Sequence, residues 1–284
     1  MIPSFWKRRT HGYTKLEATD HWRSIAPAGW ESTVMASEEP KVFAAKQGRS
    51  IATWQLHDRE GKPTLVYLKR HYRQPWRTRL AALFFPRRAW TPGLQEWHHL
   101  QWATEHGFAV PTALAAGEYL LPDGQLHGFI AIQELQGMVA LHEAIPRAYD
   151  TMAPGDFRQW KRQLIRMLAE MSIALHRTDH FHRDWYLCHF YIPENWIGAT
   201  QFPAHEQMYV IDFHRLIHKR WRRTFGIAKD LGQLLYSSDL PGISTRDRLE
   251  FWALYRKSVR WPRWLRWLSI RKWRLYQRHD KPHG

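Results

Sequence analysis

Residues 182–190 read HRDWYLCHF, an irregular stretch dense in polar groups that carries an acid at Asp184. Before it, residues 157–176 place apolar side chains at three- and four-residue spacing, which predicts a long amphipathic helix. After it, residues 209–213 read YVIDF, which is typical of a short buried strand and brings a second acid, Asp212. The stretch therefore joins a helix to a strand, and two carboxylates flank that connection.

The residues before position 136 favour a β-rich first half. Short apolar runs separated by turn-like sequences predict an antiparallel sheet, with a hairpin turn at residues 58–62. Residues 1–30 are polar and weakly periodic, and they indicate an N-terminal extension. Strands are predicted at 42–45, 51–56, 64–69, 113–120 and 128–133, and helices at 93–107, 229–237 and 245–259. We therefore expect two lobes that meet near Gln136.

The composition restricts the class of protein. The chain has 284 residues, 44% of them hydrophobic, with 16 Gly and 16 Pro, which excludes a disordered or fibrous protein. A single cysteine, Cys188, excludes an intrachain disulfide and a cysteine-rich zinc site. The longest apolar run, residues 80–85, is too short to span a membrane. A formal net charge of +16 indicates an anionic partner.

The order of the charged residues matches the requirements of phosphoryl transfer. That reaction needs one carboxylate to accept a proton, another to hold a metal ion, and a lysine on the nucleotide; Lys69 ends a strand upstream of both acids. HRDWYLCHF, then VIDFHR at 210–215, then KDLGQLLYSS at 229–238 resemble the lipopolysaccharide core kinases, the heptose and Kdo kinase family of the protein-kinase-like superfamily. The resemblance runs from about Lys46 to about Phe251.

The resemblance implies an α+β, bilobal protein-kinase-like fold. A small antiparallel-sheet N-lobe is expected at 31–135 and a mostly helical C-lobe at 136–284, with ATP and Mg²⁺ bound between them. Lys69 corresponds to the lysine that holds the nucleotide, and Glu96 to its acidic partner. The turn at 46–50 has one glycine, so Arg49 or Ser50 is expected to supply phosphate donors. The implied nucleotide contacts are Lys46, Gly48, Arg49, Ser50, Lys69, Glu96, Glu134 and Gln136.

The resemblance also assigns the catalytic groups. Asp184 corresponds to the catalytic base, Asp212 to the main Mg²⁺ ligand, and Asp230 to a buried carboxylate that braces the catalytic loop. His189 replaces an amide that usually helps to hold magnesium, and imidazole is a poor ligand for that hard ion. We expect His189, a catalytic and metal-site candidate, to bond a phosphate oxygen or Asp212, or to reach the metal through water.

The spacing of the acids restricts the acceptor. Seventeen residues separate Asp212 from Asp230, which leaves little room for a long activation segment and a peptide-docking platform. A small hydroxyl compound is therefore favoured over a folded protein. The resemblance implies a sugar of the lipopolysaccharide inner core, heptose before Kdo. The alternatives are a kinase of another small or membrane-bound acceptor, a degenerate kinase that acts as a scaffold, and a basic nucleic-acid-binding protein.

Two segments, residues 70–90 and 256–278, interleave arginine with aromatic residues. Arginine supplies charge for phosphates and tryptophan suits headgroup depth, so both segments fit an anionic bilayer. A helix packed on the protein with solvated arginines is an equal alternative for the second segment. A glycolipid acceptor implies a cytoplasmic protein, peripheral on the inner face of the inner membrane. No nucleic-acid partner is expected.

Overall fold

The computed structural model describes residues 5–46, 48–58, 60–203, 206–221, 223–257 and 264–279. The Lys46 side chain and Gln47, both part of the predicted phosphate-covering turn, lie outside the described structure. So do Arg260, Trp261 and Arg263 of the second basic aromatic segment. The chain divides into two compact units, residues 1–135 and 136–284.

The first unit is built on a six-stranded antiparallel sheet with the strand order β1-β5-β6-β4-β3-β2. Its strands are β1 Tyr13–Ala18, β2 Lys41–Lys46, β3 Arg49–His57, β4 Pro63–His71, β5 Ala113–Leu120 and β6 Leu126–Gln133. Its helices are α1 Phe5–His11, α2 Asp20–Ile25, α3 Trp30–Thr33, α4 Trp76–Phe84 and α5 Pro92–Glu105. The strands and the helix predicted for this part of the chain are all present.

The N-terminal residues belong to this unit, which differs from the extension expected from the sequence. β1 pairs with β5 along six residues and forms one edge of the sheet. Trp22 and Trp30 pack in one apolar core with Trp54 of β3 and Phe129 of β6. The core of the sheet is therefore completed by side chains that precede residue 31.

Helix α5 approaches the sheet closely because its first turn contains a glycine. A Cβ at Gly93 would lie 2.5 Å from the carbonyl oxygen of Phe129 in β6, so no larger residue fits without a shift of the helix. Thr91 caps the helix by accepting the N–H of Leu94. Residue 96 follows within the first two turns and faces the sheet.

The second unit is mostly helical. Its helices are α6 Leu141–Thr151, α7 Pro154–Arg177, α8 Arg223–Ser237, α9 Thr245–Lys257 and α10 Trp264–His279. Short strands form two small sheets, β10-β9-β7 and β11-β8, from β7 Met138–Ala140, β8 His180–Phe181, β9 Phe190–Pro193, β10 Tyr209–Val210 and β11 Ile217–His218. The predicted α7 buries Trp160, Leu164, Leu168 and Leu175 as one stripe. The predicted α+β class, with the antiparallel sheet first and the helices second, is confirmed.

Helix α10 packs on α8 at short range. A Cβ at Gly232 of α8 would lie 2.7 Å from Cβ of Lys272, so glycine permits the approach. Asp239, just after α8, accepts hydrogen bonds from Trp273 Nε1 at 3.0 Å and Gln277 Nε2 at 2.9 Å. One face of α10 is therefore fixed to the second unit. Within the described residues, no helix combines the length and apolar character needed to cross a bilayer.

Candidate active site

A lysine and a glutamate form a largely buried ion pair in the first unit. Lys69 lies on β4, opposite Ile130 of β6, and its Nζ is 2.8 Å from Oε1 of Glu96 on α5. The Glu96 side chain is 2% exposed, whereas that of Lys69 is 23% exposed. The ammonium group therefore neutralises the buried carboxylate and keeps some surface for solvent or a ligand. The fold brings together the lysine and the acid that the sequence predicted as a pair.

The turn between β2 and β3 carries one residue in the left-handed region. Gly48 has a φ of 76°, a conformation that a side chain would strain. Arg49 is exposed, whereas Ser50 is buried and its Oγ lies 3.3 Å from Nε of Arg70. The Arg49 guanidinium is therefore accessible to an anion, and the Ser50 hydroxyl is already used within the sheet.

The segment after β6 holds the expected adenine contacts. The N–H of Glu134 donates to the carbonyl of Leu65 at 2.9 Å, so any contact from the Glu134 backbone to adenine uses its carbonyl. Oε1 of Glu134 accepts from the Tyr67 hydroxyl at 3.3 Å. Burial, and then the Glu134 carboxylate, raise the pKa of Tyr67. Gln136 is exposed.

In the second unit, one face of α8 holds the irregular loop after β8. Residues 230, 233 and 237 are three and four positions apart and share this face. Their side chains accept four backbone N–H groups of the loop: Asp230 from His182 and Arg183 (both 2.9 Å), Gln233 from Trp185 (3.2 Å) and Ser237 from Leu187 (2.9 Å). These side chains satisfy loop donors that would otherwise be buried without a partner. The predicted brace by Asp230 is confirmed.

The loop needs this support because Arg183 has a φ of 72°, which is unfavourable for a residue with a side chain. Both backbone polar groups of Arg183 are held: its N–H donates to Asp230, and its carbonyl accepts from Lys229 Nζ at 2.6 Å and Gln233 Nε2 at 2.7 Å. Asp230 is fully buried, and its Oδ2 also lies 3.4 Å from Nε2 of His176. The helix thus stabilises a strained loop conformation.

The Asp184 carboxylate at the centre of this loop pairs with an arginine. Nη1 of Arg215 lies 2.9 Å from Oδ1 of Asp184, and the two side chains are 42% and 12% exposed. The backbone carbonyl of Asp184 accepts from Nδ1 of His189 at 2.6 Å. One carboxylate oxygen is therefore fixed by a cation, and the main chain at Asp184 is fixed by an imidazole.

The Asp212 carboxylate lies between two histidines. It follows β10 with a φ of 67°, and its Oδ1 accepts from Nδ1 of His214 at 2.6 Å. Its Oδ2 lies 3.8 Å from Nε2 of His189, an ion-pair distance that is too long for a hydrogen bond. His189 thus connects the two acidic segments, with one ring nitrogen on the Asp184 backbone and the other facing Asp212.

Two histidines of this site have opposite pKa shifts. Burial lowers the pKa of His182 to about 4, so its ring is neutral and its Nε2 donates to the carbonyl of Ile211 at 3.1 Å. Burial also lowers the pKa of His189, but hydrogen bonds with Cys188 and the Asp184 carbonyl, together with the Asp212 charge, outweigh burial and raise it to about 9. His182 is therefore a packing residue, and His189 places positive charge beside Asp212.

A third cation lies under the loop. Burial, followed by repulsion from Arg215 and Arg183, lowers the pKa of the Lys229 ammonium to about 8. Asp184 and Asp230 oppose this shift. The charges of both arginines and of Asp184 therefore act on the Lys229 ammonium group, whose Nζ donates a hydrogen bond to the Arg183 carbonyl.

The sequence reasoning missed Arg215, Lys229, Gln233 and Ser237. The signals were present within the quoted motifs: Arg215 ends VIDFHR, and the other three lie in KDLGQLLYSS. Polar residues at spacings of three and four on a helix that is otherwise apolar indicate a polar face turned toward a loop. The Arg215 contact depends on the single-turn helix Phe213–Arg215, which no periodicity indicated.

The described residues contain no group of three or more His, Cys, Asp or Glu side chains arranged to hold a metal ion. Asp212 offers a partly exposed carboxylate, 28% accessible, which is the oxygen donor that Mg²⁺ prefers. His189 has one nitrogen committed to the Asp184 carbonyl, so its remaining nitrogen alone faces Asp212. The donor set fits an ion that takes one carboxylate here and its other ligands from phosphate and water.

These features together define a protein-kinase-like phosphotransferase: an antiparallel sheet with a Lys–Glu pair, a braced HRD loop, and an aspartate that follows a short strand. Comparison with known proteins agrees. Residues 34–255 match the family described as "Lipopolysaccharide kinase (Kdo/WaaP) family". The chain belongs to this family, as the sequence motifs predicted. It is a kinase, and the family implies ATP as the phosphoryl donor.

Individual relatives are lipopolysaccharide kinases named WaaP, a name that is also part of the family description. The chain is 32% identical over 199 residues to the lipopolysaccharide core heptose(I) kinase WaaP of Pseudomonas aeruginosa PAO1, a match that covers 66% of this chain and 70% of that protein. It is 30% identical over 166 residues to WaaP of Escherichia coli K12, with 57% and 58% covered. A solved structure of WaaP in complex with acyl carrier protein is similar over 94% of this chain and 100% of that chain, with a TM-score of 0.64 and 25% identity.

Proposed function

We propose that this kinase transfers the γ-phosphoryl group of ATP to a hydroxyl of a heptose in the lipopolysaccharide inner core. The observation that carries the proposal is the loop around Asp184, whose backbone is strained at Arg183 and donates four hydrogen bonds to side chains of α8. Such a loop suits an acceptor hydroxyl that must be oriented for attack. The relatives named heptose(I) kinases favour heptose over Kdo.

The first unit supplies the proposed nucleotide contacts. Lys69 binds the phosphates, and Glu96 fixes the direction of its ammonium group through the 2.8 Å ion pair. Gly48 and the exposed Arg49 form the turn over the phosphates, with Lys46 beside them, while Ser50 supports this turn through Arg70. The Glu134 carbonyl and the backbone of Gln136 contact adenine. An arginine in a turn with one glycine replaces backbone donors by a charged side chain.

Asp212 is the proposed Mg²⁺ ligand. Its carboxylate is accessible, and the hydrogen bond from His214 fixes its orientation. Bound Mg²⁺ would neutralise the phosphate oxygens and stabilise the charge of the transferred group. Because Nδ1 of His189 is already used, we assign its Nε2 to a phosphate oxygen or to a metal-bound water.

Asp184 is the proposed catalytic base. With Oδ1 fixed by Arg215, the second carboxylate oxygen is left to accept the proton of the acceptor hydroxyl. The O–H bond of the sugar breaks and its oxygen bonds the γ-phosphorus. The bond between the γ-phosphorus and the oxygen that bridges to the β-phosphate breaks, and its electron pair leaves on that oxygen with ADP. The proton then passes from Asp184 to solvent. His189 keeps the loop backbone in position during this step through its bond to the Asp184 carbonyl.

Peripheral binding to an anionic membrane surface, on the cytoplasmic face, is part of the proposal. Phe5 of α1 stacks on Phe84 of α4 at 5.2 Å, and this region exposes Trp6 of α1, Trp76 of α4 and Phe85, which follows α4. Neither helix contains an acidic residue. On α10, Trp264 and Trp267 are exposed beside Arg271, whose guanidinium lies 5.5 Å from the Trp267 ring centre. Exposed rings with arginines and without carboxylates suit anionic headgroups.

The membrane role is testable with vesicles. The protein should sediment with phosphatidylglycerol vesicles and not with phosphatidylcholine vesicles, and high salt should weaken the binding. Trp6→Ser with Phe85→Ser should reduce binding, whereas His57→Ser, an exposed residue at the end of β3, should not. Equal binding to both vesicle types would contradict an electrostatic surface role.

The central test compares the core oligosaccharide of host cells with and without the gene. Mass spectrometry should show the loss of one phosphoryl group from the core in the absence of the protein, and its return with the wild-type gene but not with Asp184→Asn. Purified protein with radiolabelled ATP and core oligosaccharide should label a heptose. Labelling of Kdo alone, or an unchanged core, would contradict the proposed acceptor.

A further inference from the structure

Helix α10 carries an aromatic side chain to the catalytic loop. The Tyr276 ring lies 6.4 Å from the ring of Tyr186 in the loop and 5.9 Å from the ring of Tyr236 on α8, and Tyr186 and Tyr236 are 6.4 Å apart. All three tyrosines are partly exposed. The triangle, which we call the tyrosine wall, thus combines three parts of the second unit.

The tyrosine wall is adjacent to Asp184. Burial raises the pKa of Tyr276 to about 12, and the charges of Tyr186, Asp230 and Asp184 raise it while Arg215 opposes them. Tyr276 is therefore within electrostatic reach of the proposed base and its arginine. Gln233, which supports the loop backbone, also donates to the Tyr186 hydroxyl at 2.9 Å and fixes that ring.

Positive charge beside the wall exceeds what the loop acids neutralise. Arg183 and Arg215 each lie close enough to Lys229 to lower the pKa of its ammonium group. Among the residues that the structure describes, Asp184 pairs with Arg215 alone, and Asp230 is fully buried with its oxygens on the backbone N–H groups of the loop. Arg183 has no hydrogen bond or ion pair from its side chain within the described residues. The Arg215 side chain is 42% exposed, so its remaining N–H donors can contact a ligand while Nη1 stays on Asp184.

We propose that the tyrosine wall, with Arg183, Arg215 and Lys229, is the acceptor subsite, and that it binds a sugar with an anionic group close to the hydroxyl that is phosphorylated. The inference rests on the proposed function and names the part of the acceptor that the site recognises. An aromatic face packs against the apolar C–H face of a sugar ring, and tyrosine adds a hydroxyl for the sugar hydroxyls. The guanidinium groups bind the carboxylate or phosphate of the acceptor by paired hydrogen bonds.

The same oxyanion chemistry belongs to the γ-phosphate of ATP, and kinetics separate the two sources. With core oligosaccharide as acceptor, Arg215→Gln and Tyr276→Leu should each raise the KM for the acceptor by about tenfold or more, since hydrogen bonds to charged groups contribute on this scale. The KM for ATP should stay within about twofold. A rise in the KM for ATP that equals the rise for the acceptor would assign the cations to the nucleotide and overturn the proposal.

Matched variants control for general effects of charge and of aromatic surface. Arg166→Gln removes one exposed arginine from α7, and Tyr149→Leu removes one exposed ring from α6; both should leave each KM unchanged. Tyr276→Phe keeps the ring and should therefore retain most of the acceptor affinity. This variant keeps the test informative if Tyr276→Leu fails to fold. If Tyr276→Phe and Tyr276→Leu are both identical to wild type, the wall does not contact the acceptor.

A binding measurement keeps this inference independent of the heptose assignment. Saturation-transfer NMR should detect glucuronate on the wild-type protein more strongly than glucose, and Arg215→Gln should remove the difference. Glucuronate binding that depends on Arg215, in a protein that does not phosphorylate core heptose, would sustain the subsite and refute the proposed acceptor. Transfer to core heptose with unchanged acceptor KM in Arg215→Gln would refute the subsite and sustain the function.

Discussion

The Lys69–Glu96 pair and the Asp184 loop are positioned in different ways. Lys69 and Glu96 lie on a central strand and a helix, and a 2.8 Å ion pair joins their side chains. Asp184 lies on a strained, irregular loop that depends on side chains of α8 for four of its backbone hydrogen bonds. The sheet or the helix itself holds the main chain of a group on regular structure, whereas a group on a loop needs a set of side-chain partners that hold the main chain.

The difference determines which mutations act on chemistry alone. Substitution of Lys69 removes a charge but leaves β4 paired on both sides by β3 and β6. Substitution on the polar face of α8 removes support from the loop main chain, so it should affect Asp184 only indirectly, through the loop conformation. Substitutions in the two regions should therefore separate loss of a reacting group from loss of loop support.

Asp184→Asn should lower kcat by about a thousandfold or more, because an amide cannot accept the acceptor proton and general-base contributions are of this order. Steady-state transfer of labelled phosphate measures the effect. Binding of Mg·ATP should persist, since nucleotide contacts lie elsewhere. Asp156→Asn, an exposed residue in the first turn of α7, is the matched control. Normal turnover in Asp184→Asn would exclude Asp184 as the base.

Lys69→Met should reduce kcat/KM for ATP by about a hundredfold, because a preorganised charge on the phosphates is lost. Glu96→Gln should cause a smaller loss, since the lysine remains but loses its fixed direction. Titration with a fluorescent ATP analogue, alongside kinetics, measures both. Lys62→Met removes an exposed lysine from the β3–β4 turn and should have no effect. An equal effect of Lys62→Met would show that charge alone, without position, explains the loss.

Asp230→Asn should destabilise the second unit by about 2–4 kcal/mol, because an amide cannot accept all the hydrogen bonds that the buried carboxylate accepts. Urea unfolding followed by tryptophan fluorescence measures the change. Asp150→Asn, exposed on α6, serves as the control. If Asp230→Asn lowered activity with no loss of stability, the carboxylate would act on chemistry and not on the loop.

Acceptor affinity should fall as pH rises through about 8, where Lys229 loses its proton. Below that value Lys229 is charged and adds to the attraction of Arg183 and Arg215 for an anionic acceptor; above it, only the arginines remain. The KM for the acceptor should therefore rise severalfold between neutral pH and pH of about 9, on the scale of one exposed charge pair. Lys229→Arg, which stays charged, should remove this dependence.

Ser237→Ala should cost about 1 kcal/mol of stability, the usual contribution of one neutral hydrogen bond, because the Leu187 N–H loses its acceptor. Hydrogen exchange at Leu187 should become faster than at other loop amides. Ser24→Ala, in which the lost bond lies within α2 at the surface, should change stability less. Unchanged exchange at Leu187 would indicate that another group, and not Ser237, protects this amide.

Much of the fold could be predicted from the sequence because its signals are local. The stripe of α7 has helical period, and the strands β3 and β4 alternate buried and exposed residues. The Asp230 brace and the Lys69–Glu96 pair followed from motifs in a fixed order. Strand β1 could not be predicted in this way, since its sequence YTKLEA is mostly polar and its partner β5 is about a hundred residues away in the chain.

The less predictable part of the site depends on contacts between distant segments. Arg215 reaches Asp184 only through the turn after Asp212, and Tyr276 reaches the loop only because Gly232 and Asp239 fix α10 on α8. The sequence left open whether residues 256–278 pack on the protein or face a membrane. In the structure one face of α10 packs on α8, and the opposite face keeps its exposed tryptophans.

Asp239 attaches α10 from outside the helix, because its carboxylate accepts hydrogen bonds from Trp273 and Gln277. Tyr276 lies between these two residues in the chain, so the carboxylate that attaches the helix also sets the position of the third ring of the tyrosine wall. A substitution at Asp239 would therefore displace Tyr276 while it leaves Asp184 and the partners of its loop chemically unchanged.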